Sequence, residues 1–510
     1  MALVFRPFQT LLRSTLVQDR SSRTMKMSRF ALTAMIASAS FAGTAFGQNN
    51  RTAPRYYPSS YYSYYQDGAA TQAPAPVASA SDAVSTASAC GGKSPACDVA
   101  AVCNGKGSSC DGLGNCGCGN LSCGGGAGGA GGCDGAGGCG STGLFGLGVI
   151  GTGRKLVDPW KLAPKGIAGV NVGGWTSVGY HSKANPFSFN TYPRRVQLGQ
   201  QWFFAEKVAN GSEGLGFGGR VDYLYGTDAP DTQAFGVTGP DFDNRWVNGP
   251  NNLGYGHAMP QLYGEVAAGD LSVKVGRFFT IVGNEVVQAT GNFFYSRQFT
   301  FYNAEPFTHT GALTTYNVDS DTQIYNGYVM GWDSAFRDNG DAYIGGMKKK
   351  FNDTFSMLYS TVLGRFGDAN VPALGERGGI QNLILTANLT DKLTYISQYD
   401  VLYTTNNIGN VQRNTFGNIN YLLYKVNDRV TLGQRFEWFN FGGAGFTDAN
   451  GLQRKNDDNF NFTTGLNYRA HANLLFRPEV RWVWDRQRYG FNENNASQQV
   501  AAGGDMVFTF

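Results

Sequence analysis

The chain has 510 residues, of which 14% are aromatic and 71 are glycine, both high shares for a globular protein. Residues 1–47 carry six basic residues and one acid, whereas the rest of the chain carries 35 basic residues and 36 acids. This balance argues against the basic surface that nucleic-acid binding requires, so we expect no nucleic-acid partner.

The first 47 residues have the organisation of an export signal. Basic residues precede a short run of apolar and small residues from Phe30 to Ala42, and the AFG that ends at Gly47 resembles a cleavage site. We predict a secretory signal peptide over 1–47, with Met25 as an alternative start of translation. An organelle transit peptide is the rival interpretation, because the first residues are arginine-rich and nearly free of acid.

Residues 48–154 are of low complexity, first rich in Tyr, Ala and Pro and then rich in Cys and Gly. Such a composition cannot bury a core, so we predict a disordered extension. Cysteines in an exported segment predict disulfides. An inert spacer and a metal site are the alternatives, but the irregular cysteine spacing disfavours a metal site. We expect neither a metal nor a cofactor. The disulfide candidates are Cys90, Cys97, Cys103, Cys110, Cys116, Cys118, Cys123, Cys133 and Cys139.

Beyond residue 155 apolar and polar residues alternate with period two, and no run of about 18 apolar residues occurs that could form a transmembrane helix. In LLFRPEVRWVWD, residues 474–485, one face is entirely apolar and the other is densely charged. A soluble sandwich buries its apolar faces, whereas a membrane barrel turns them outward to lipid and its polar faces inward. The pattern therefore predicts a transmembrane barrel.

Short turns and longer loops alternate along the same region. Pairs such as Gly269-Asp270 and Asn427-Asp428 mark short turns, and 284–308 and 442–459 read as long loops. The number of turns and loops predicts an all-β, up-and-down antiparallel transmembrane β-barrel of about 16 strands over 155–510. We therefore expect a location in the bacterial outer membrane, in contact with its lipid.

The chain ends on GGDMVFTF, which predicts a closing strand that pairs with a first strand near 169–180. Apolar residues stand at every second position, and the last one is aromatic. This ending is typical of the signal that the barrel-assembly machinery reads. The predicted signal residues are Met506, Phe508 and Phe510.

Candidate pore-lining residues are those opposite the apolar stripes. In RRVQLGQQWFF the stripe is predicted to contain Trp202 and Phe204. The 30 basic and 31 acidic residues of 155–510 predict weak ion selectivity, although any single charge can equally form a structural cross-strand pair. The candidates are Arg195, Gln197, Gln201, Arg220, Asp222, Gln261, Glu265, Lys274, Arg435, Glu437, Arg477, Glu479, Arg481 and Asp485.

The loop at 284–308 is the predicted constriction of the channel. Six aromatic residues from Phe293 to Tyr302 accompany Arg297 and Glu305, a composition unusual for a solvent-exposed loop. Folding into the lumen explains it. The alternative is that FFYSRQFTFYN forms part of a strand.

Several runs resemble a known family: DPWKLAPKGIAGVNVGGWTSVGYH at 158–181, QWFFAEKVANG at 201–211, MPQLYGEVAAGDLSVKVGRFFTIVGNEVV at 259–287 and ATGNFFYSRQFTFYNAEPFTHTG at 289–311. They are similar to the OmpL-like putative β-barrel porin family, porin-2. The resemblance covers residues 166–510 and implies an outer-membrane pore whose substrates are largely undefined.

The leading hypothesis is a water-filled porin for passive diffusion of small hydrophilic solutes. A structural or adhesive surface protein, cross-linked through its cysteines, is the alternative. No G-x-S-x-G motif accompanies the four histidines, so we do not expect an enzyme. A homotrimer is expected only by analogy with other pores of this size.

Overall fold

The structure, a computed structural model, describes residues 156, 159–164, 166–185, 187–234, 242–246, 254–336, 340–366, 376–447 and 453–510. The predicted signal peptide, the low-complexity segment and the nine cysteines lie outside the described residues.

Sixteen strands and a few short helices make up this part of the chain. The strands are β1 Asn171–His181, β2 Gln197–Lys207, β3 Leu215–Gly226, β4 Gly256–Ala268, β5 Leu271–Phe279, β6 Thr308–Asp319, β7 Thr322–Val329, β8 Asp341–Lys350, β9 Phe355–Arg365, β10 Glu376–Asn388, β11 Leu393–Asn406, β12 Val411–Lys425, β13 Val430–Thr447, β14 Gln453–His471, β15 Leu474–Asp485 and β16 Gln498–Thr509. The helices are α1 Ala229–Thr232, α2 Phe299–Ala304 and the 3-10 turns Phe242–Arg245, Ala289–Gly291 and Glu493–Asn495. None of the helices in the described part of the chain is both long and apolar enough to cross a membrane.

Each strand pairs antiparallel with its neighbours in sequence, and β1 pairs with β16 to close the sheet into a barrel. In that closing ladder Trp175 lies opposite Thr509 and Tyr180 lies opposite Gly504. Backbone bonds of 3.0 Å in both directions between Gly174 and Phe510 continue the ladder to the end of the chain. The predicted closed barrel of sixteen strands is confirmed.

The connections alternate in length as predicted, with one correction. Only Gly269 and Asp270 separate β4 from β5, whereas 280–307 separate β5 from β6. The predicted loop at 442–459 was wrong, because β13 and β14 continue pairing and leave only 448–452 between them. Polar residues can extend a hairpin beyond the bilayer because strand pairing does not require a lipid-facing apolar stripe.

Apolar side chains cover the outer face of the barrel. On β15, Trp482 and Trp484 are exposed, whereas Arg477, Arg481 and Asp485 are buried. Exposed outward residues elsewhere on the barrel are Val221, Val266, Val275, Leu432, Phe436, Val500 and Phe508. This arrangement is the inverse of a soluble sandwich, as the alternation predicted.

The predicted faces of β2 require a correction. Trp202 was predicted to face lipid, but it is 0% exposed and stacks on Trp175 at 4.6 Å between ring centroids. Phe203 is instead 44% exposed. The β1–β2 register shifts between Ser177 and Val178, and a bulge of this kind reverses the faces of all later residues on the strand.

The inner face is also less polar than expected. From β6 to β12 it carries a continuous set of buried aliphatic residues, called here the apolar inner wall. Its members are Leu313, Val329, Ile344, Val362, Ile380, Ile384, Ile396, Leu402 and Ile419. The expectation of a polar inner face was wrong for these strands, because these residues are aliphatic and pack against chain inside the barrel.

The reversed faces of β2 can be tested by two substitutions. We expect Trp202→Ala to lower the free energy of unfolding by about 3–5 kcal/mol, because it removes a buried, stacked indole. Phe203→Ala, its neighbour on the outer face, should lower it by clearly less. Urea unfolding of the barrel in lipid vesicles measures both values, and the opposite ranking would contradict the described register.

Candidate functional site

The connection 280–307 between β5 and β6, called here the inserted segment, lies inside the barrel. It forms hydrogen bonds to inward side chains of β2, β11, β12, β13 and β15. The FFYSRQFTFYN stretch is not a strand; its second half forms the short helix α2. The prediction that this loop folds into the lumen rather than lying outside agrees with these contacts.

Two carboxylates of the barrel wall hold the backbone of the inserted segment. Glu479 of β15 accepts the backbone N–H of Tyr295 at 2.9 Å and of Ser296 at 3.1 Å. Glu437 of β13 accepts the N–H of Phe299 at 3.0 Å and of Thr300 at 2.6 Å. The second pair of N–H groups opens α2, where a negative charge also complements the unsatisfied donors of the helix start.

Two arginines hold carbonyl groups of the same segment. Arg477 donates to the carbonyls of Ala289 and Asn292, both at 2.7 Å, while its other nitrogens bind Asp505 of β16 at 2.7 and 2.6 Å. A bidentate carboxylate fixes the plane of a guanidinium, so Asp505 orients Arg477 toward the segment. Arg435 of β13 makes the second such contact, donating to the carbonyl of Ser296 at 2.8 Å.

Gln200 of β2, which lies three strands from β15 around the barrel, also anchors the segment. Its Nε2 donates to the carbonyl of Val287 at 2.7 Å, and its Oε1 accepts from the N–H of Ala289 at 2.9 Å. The Trp175 indole donates to the same Oε1 at 2.9 Å. The bulge in the β1–β2 register turns Gln200 inward and thereby creates this anchor.

Apolar side chains of the inserted segment pack on both sides of the lumen. One set packs against Trp175, Trp202 and Leu224, on strands β1, β2 and β3. The other set packs against the apolar inner wall on β6 to β12. The first set is Val287, Ala289, Phe301 and Phe307. The second set is Ile281, Val282, Phe293, Phe294, Phe299 and Ala304. The segment therefore crosses the interior from one wall to the other.

The predicted constriction residues Arg297 and Glu305 are both buried within this packing. Arg297 donates to the carbonyls of Val286 at 3.1 Å, Val287 at 2.9 Å and Tyr295 at 3.0 Å, so it ties two parts of the segment together. Burial lowers the pKa of Arg297, and the acid Glu285 opposes that shift. A role for either residue in limiting passage stays a prediction.

Five of the predicted lining residues form a polar patch on the inner face of β3 to β5. Arg220 bonds Asp222 at 2.7 Å, and Gln261 Nε2 donates to the same carboxylate at 2.9 Å. Glu265 lies opposite Lys274 in the β4–β5 ladder. Lys274 also makes a cation–π contact, with its Nζ 4.9 Å from the centroid of the Tyr263 ring.

The remaining predicted lining residues take varied positions. Arg195 precedes β2 and is half-buried, Gln197 contacts His181 and Tyr295, and Gln201 accepts a hydrogen bond from Thr176. Gln201 was predicted to face inward, but the same reversal that buries Trp202 turns it to the face of β2 opposite Gln200.

Two residues of β15 complete the set. Asp485 accepts backbone N–H groups of the β15–β16 connection, including Tyr489 at 3.0 Å. Arg481 is 1% exposed, donates to Ser188 at 3.2 Å and covers the Phe299 ring. Lining of a solute path by any of these residues stays a prediction.

Sequence reasoning missed several residues that hold the inserted segment. Glu285, within the segment, accepts from the Tyr421 hydroxyl at 2.8 Å and pairs with Arg435. Gln398 and Asp400 of β11 face inward in the phase of Ile396. The alternation in SQYDV could have indicated that these two residues share one face of the strand. Their contacts with the inserted segment could not be predicted without the folded structure.

The described residues give little support for a metal site or a catalytic site. They contain no group of three or more His, Cys, Asp or Glu side chains placed to hold a metal ion. His309 contacts the Thr280 hydroxyl at 3.0 Å and the Gly331 carbonyl at 2.9 Å, which is a structural role.

Comparison with known proteins gives one family and several distant folds. The family described as "Putative beta-barrel porin-2, OmpL-like" matches residues 169–510. No curated protein matches the chain.

Three solved structures are among those to which the chain is similar. They are the trimer form of OmpT, an outer membrane protein of Vibrio cholerae (10% identity, TM-score 0.43, 67% of this chain and 99% of that chain), an anion-selective porin from Comamonas acidovorans (11%, 0.45, 67% and 99%), and a mutant of the Rh. blastica porin (12%, 0.40, 67% and 100%). Similarity at this level carries no argument about function.

The two carboxylate anchors predict separate effects on hydrogen exchange. Glu479→Ala should speed exchange of the Tyr295 and Ser296 amides by about 10–100-fold, since hydrogen bonds to a charged group contribute roughly 1.5–3 kcal/mol. Glu437→Ala should do the same for Phe299 and Thr300.

Each variant serves as the control for the other, and exchange measured by mass spectrometry on the full chain resolves the two pairs. Equal effects of both variants on all four amides would contradict separate anchors.

Proposed function

Because the chain belongs to the putative beta-barrel porin-2, OmpL-like family, we propose that it is an outer-membrane channel for passive diffusion of small hydrophilic solutes. The inserted segment sets the width of the path. The observation that carries this proposal is the contact of the segment with both walls of a closed barrel. A bare barrel of about 16 strands encloses an aqueous channel, and a segment across it narrows that channel.

Accessible polar residues support a wet vestibule at the end of the barrel that bears the short turns. Glu206 and Lys274 are half-buried on the inner face near the β2–β3 and β4–β5 turns, and Lys348 is exposed near the β8–β9 turn. Glu206 pairs with Arg220 at 3.2 Å. Solutes therefore meet charged groups of both signs before they reach the inserted segment.

We expect weak charge selectivity for the same reason. The inward charges are largely paired with each other, as in Arg220 with Asp222 and Arg477 with Asp505. A paired charge offers a passing ion little net field at distances beyond the pair. The small hydrophilic solute stays unspecified, because none of the described contacts recognises one chemical group.

The proposal also includes how the barrel is built and assembled. Met506, Phe508 and Phe510 stand on the outer face of the closing strand and serve as the signal for the barrel-assembly machinery. Phe508 is 38% exposed, and the centroid of its ring lies 6.2 Å from that of the Phe510 ring. We propose a homotrimer as the assembled form, with outer-membrane lipid on the remaining outer surface.

Deletion of 292–303 tests the role of the inserted segment. We expect single-channel conductance in planar bilayers to rise, because the deletion removes Phe293, Phe294, Phe299 and Phe301 from the lumen. Val275→Ala combined with Val500→Ala, at two exposed residues of the outer face, is the control and should leave conductance unchanged.

Unchanged conductance after deletion of 292–303 would contradict the constriction, and absence of any conductance in the intact protein would contradict the channel itself. The reversal potential in a salt gradient, measured on the same channels, should lie near zero if selectivity is weak.

A further inference from the structure

Glu305 and Asp400 form an uncompensated pair of acids where the inserted segment ends. Gln398 Nε2 donates to Glu305 Oε1 at 2.6 Å and also to Asp400 Oδ2. Asn382 Nδ2 donates to Asp400 Oδ1 at 2.8 Å. Glu305 is 3% exposed and Asp400 is 0% exposed, so the two carboxyl groups share one amide in a site without access to bulk water.

The charged and titratable groups around the pair do not neutralise it. No ion pair joins Glu305 or Asp400 to a cation in the described part of the chain. Arg413 binds Glu376 at 2.7 Å and Arg435 binds Glu285. The groups on the surrounding elements are Glu285 of the segment, His309 of β6, Asp333 of the β7–β8 connection, Arg413 of β12, and Arg435 and Glu437 of β13.

One oxygen of the pair has no hydrogen-bond partner. Glu305 Oε2 is buried without one among the described residues, and a Cβ added at Gly283 would lie 1.8 Å from it. A calcium ion requires about six to eight oxygen ligands, and the close contact with Gly283 leaves no space for such a shell. A proton requires only one of the oxygens, and two carboxyl groups this close in a buried site do not both ionise.

We propose that Glu305 and Asp400 form a proton-binding site, which holds one proton between the inserted segment and β11. The bound proton keeps the end of the segment against the wall. Its loss leaves two buried negative charges that repel, and the end of the segment moves away from β11. The site rests on the proposed channel function only for its effect on conductance.

The direction of the pH dependence follows from the carboxyl group of the segment. Burial and then the charge of Asp400 raise the pKa of Glu305 well above its usual range. An acid whose pKa is raised by folding stabilises the native state most at low pH. That contribution is lost as pH rises from the ordinary carboxyl pKa through the raised one.

Single-channel conductance between about pH 5 and about pH 9 tests the site. We expect the conductance of the intact protein to rise with pH as the segment is released. Glu305→Gln, whose amide resembles the neutral acid, should abolish this rise. Glu213→Gln changes an exposed acid in the connection between β2 and β3, outside the site, and should retain it. If Glu305→Gln shows the same rise as the unmodified protein, the proton-binding site is refuted.

Thermal unfolding of the same proteins gives a readout independent of passage. The melting temperature of the unmodified barrel should fall with rising pH, and that of Glu305→Gln should fall less. Asp400→Asn provides a second test if the first variant does not fold. Absence of conductance in every protein would refute the channel and leave the melting series to decide the site, whereas identical melting profiles would refute the site alone.

Discussion

The backbone of this chain must satisfy its hydrogen bonds within the protein, because lipid offers no partners to an exposed strand edge. The β1–β16 ladder meets that constraint, and every other feature of the barrel depends on it. Closure fixes which residues face inward, and it places β16 beside β1 and β15 one strand further along. Ser177 thereby donates to Asp505 at 2.7 Å, and Asp505 in turn orients Arg477. The closing strand therefore contributes to the interior as well as to the end of the sheet.

Charges inside the barrel hold the chain rather than face open water. Removing an ion from water is costly, and the cost is offset only when hydrogen bonds replace the lost solvation. Glu437 and Glu479 receive them from backbone N–H groups, and Arg477 donates them to backbone carbonyls. The buried charges thus act as anchors for a segment that has little regular structure of its own. In the proposed channel, the path for solutes passes beside these anchors.

The barrel could be predicted from sequence because its signals are local. Alternation in LLFRPEVRWVWD predicted the faces of β15, and pairs such as Gly269-Asp270 predicted the turns. The faces of β2 could not be predicted, since the register shift beside Ser177 depends on the partner strand. The apolar inner wall could not be predicted from the sequence, because β10 carries apolar residues on both faces, as in Ile384 and Leu385, and alternation then does not tell which face is inward.

The inserted segment was predictable in place but not in detail. Its aromatic composition indicated that it folds inward. Most of its partners on the barrel wall lie more than a hundred residues away in the chain, as for Thr300 and Glu437, and no local pattern encodes such pairs. The residues predicted to line a path include several of these partners, so inward position was easier to predict than role.

The apolar inner wall has a consequence for any opened state. If the segment withdrew, aliphatic side chains of β6 to β12 would face water, at a cost of about 25 cal/mol for each Å² of apolar surface wetted. That cost favours return of the segment to the wall, so an opened state would be short-lived, and the wall would act as a spring that resets the barrel.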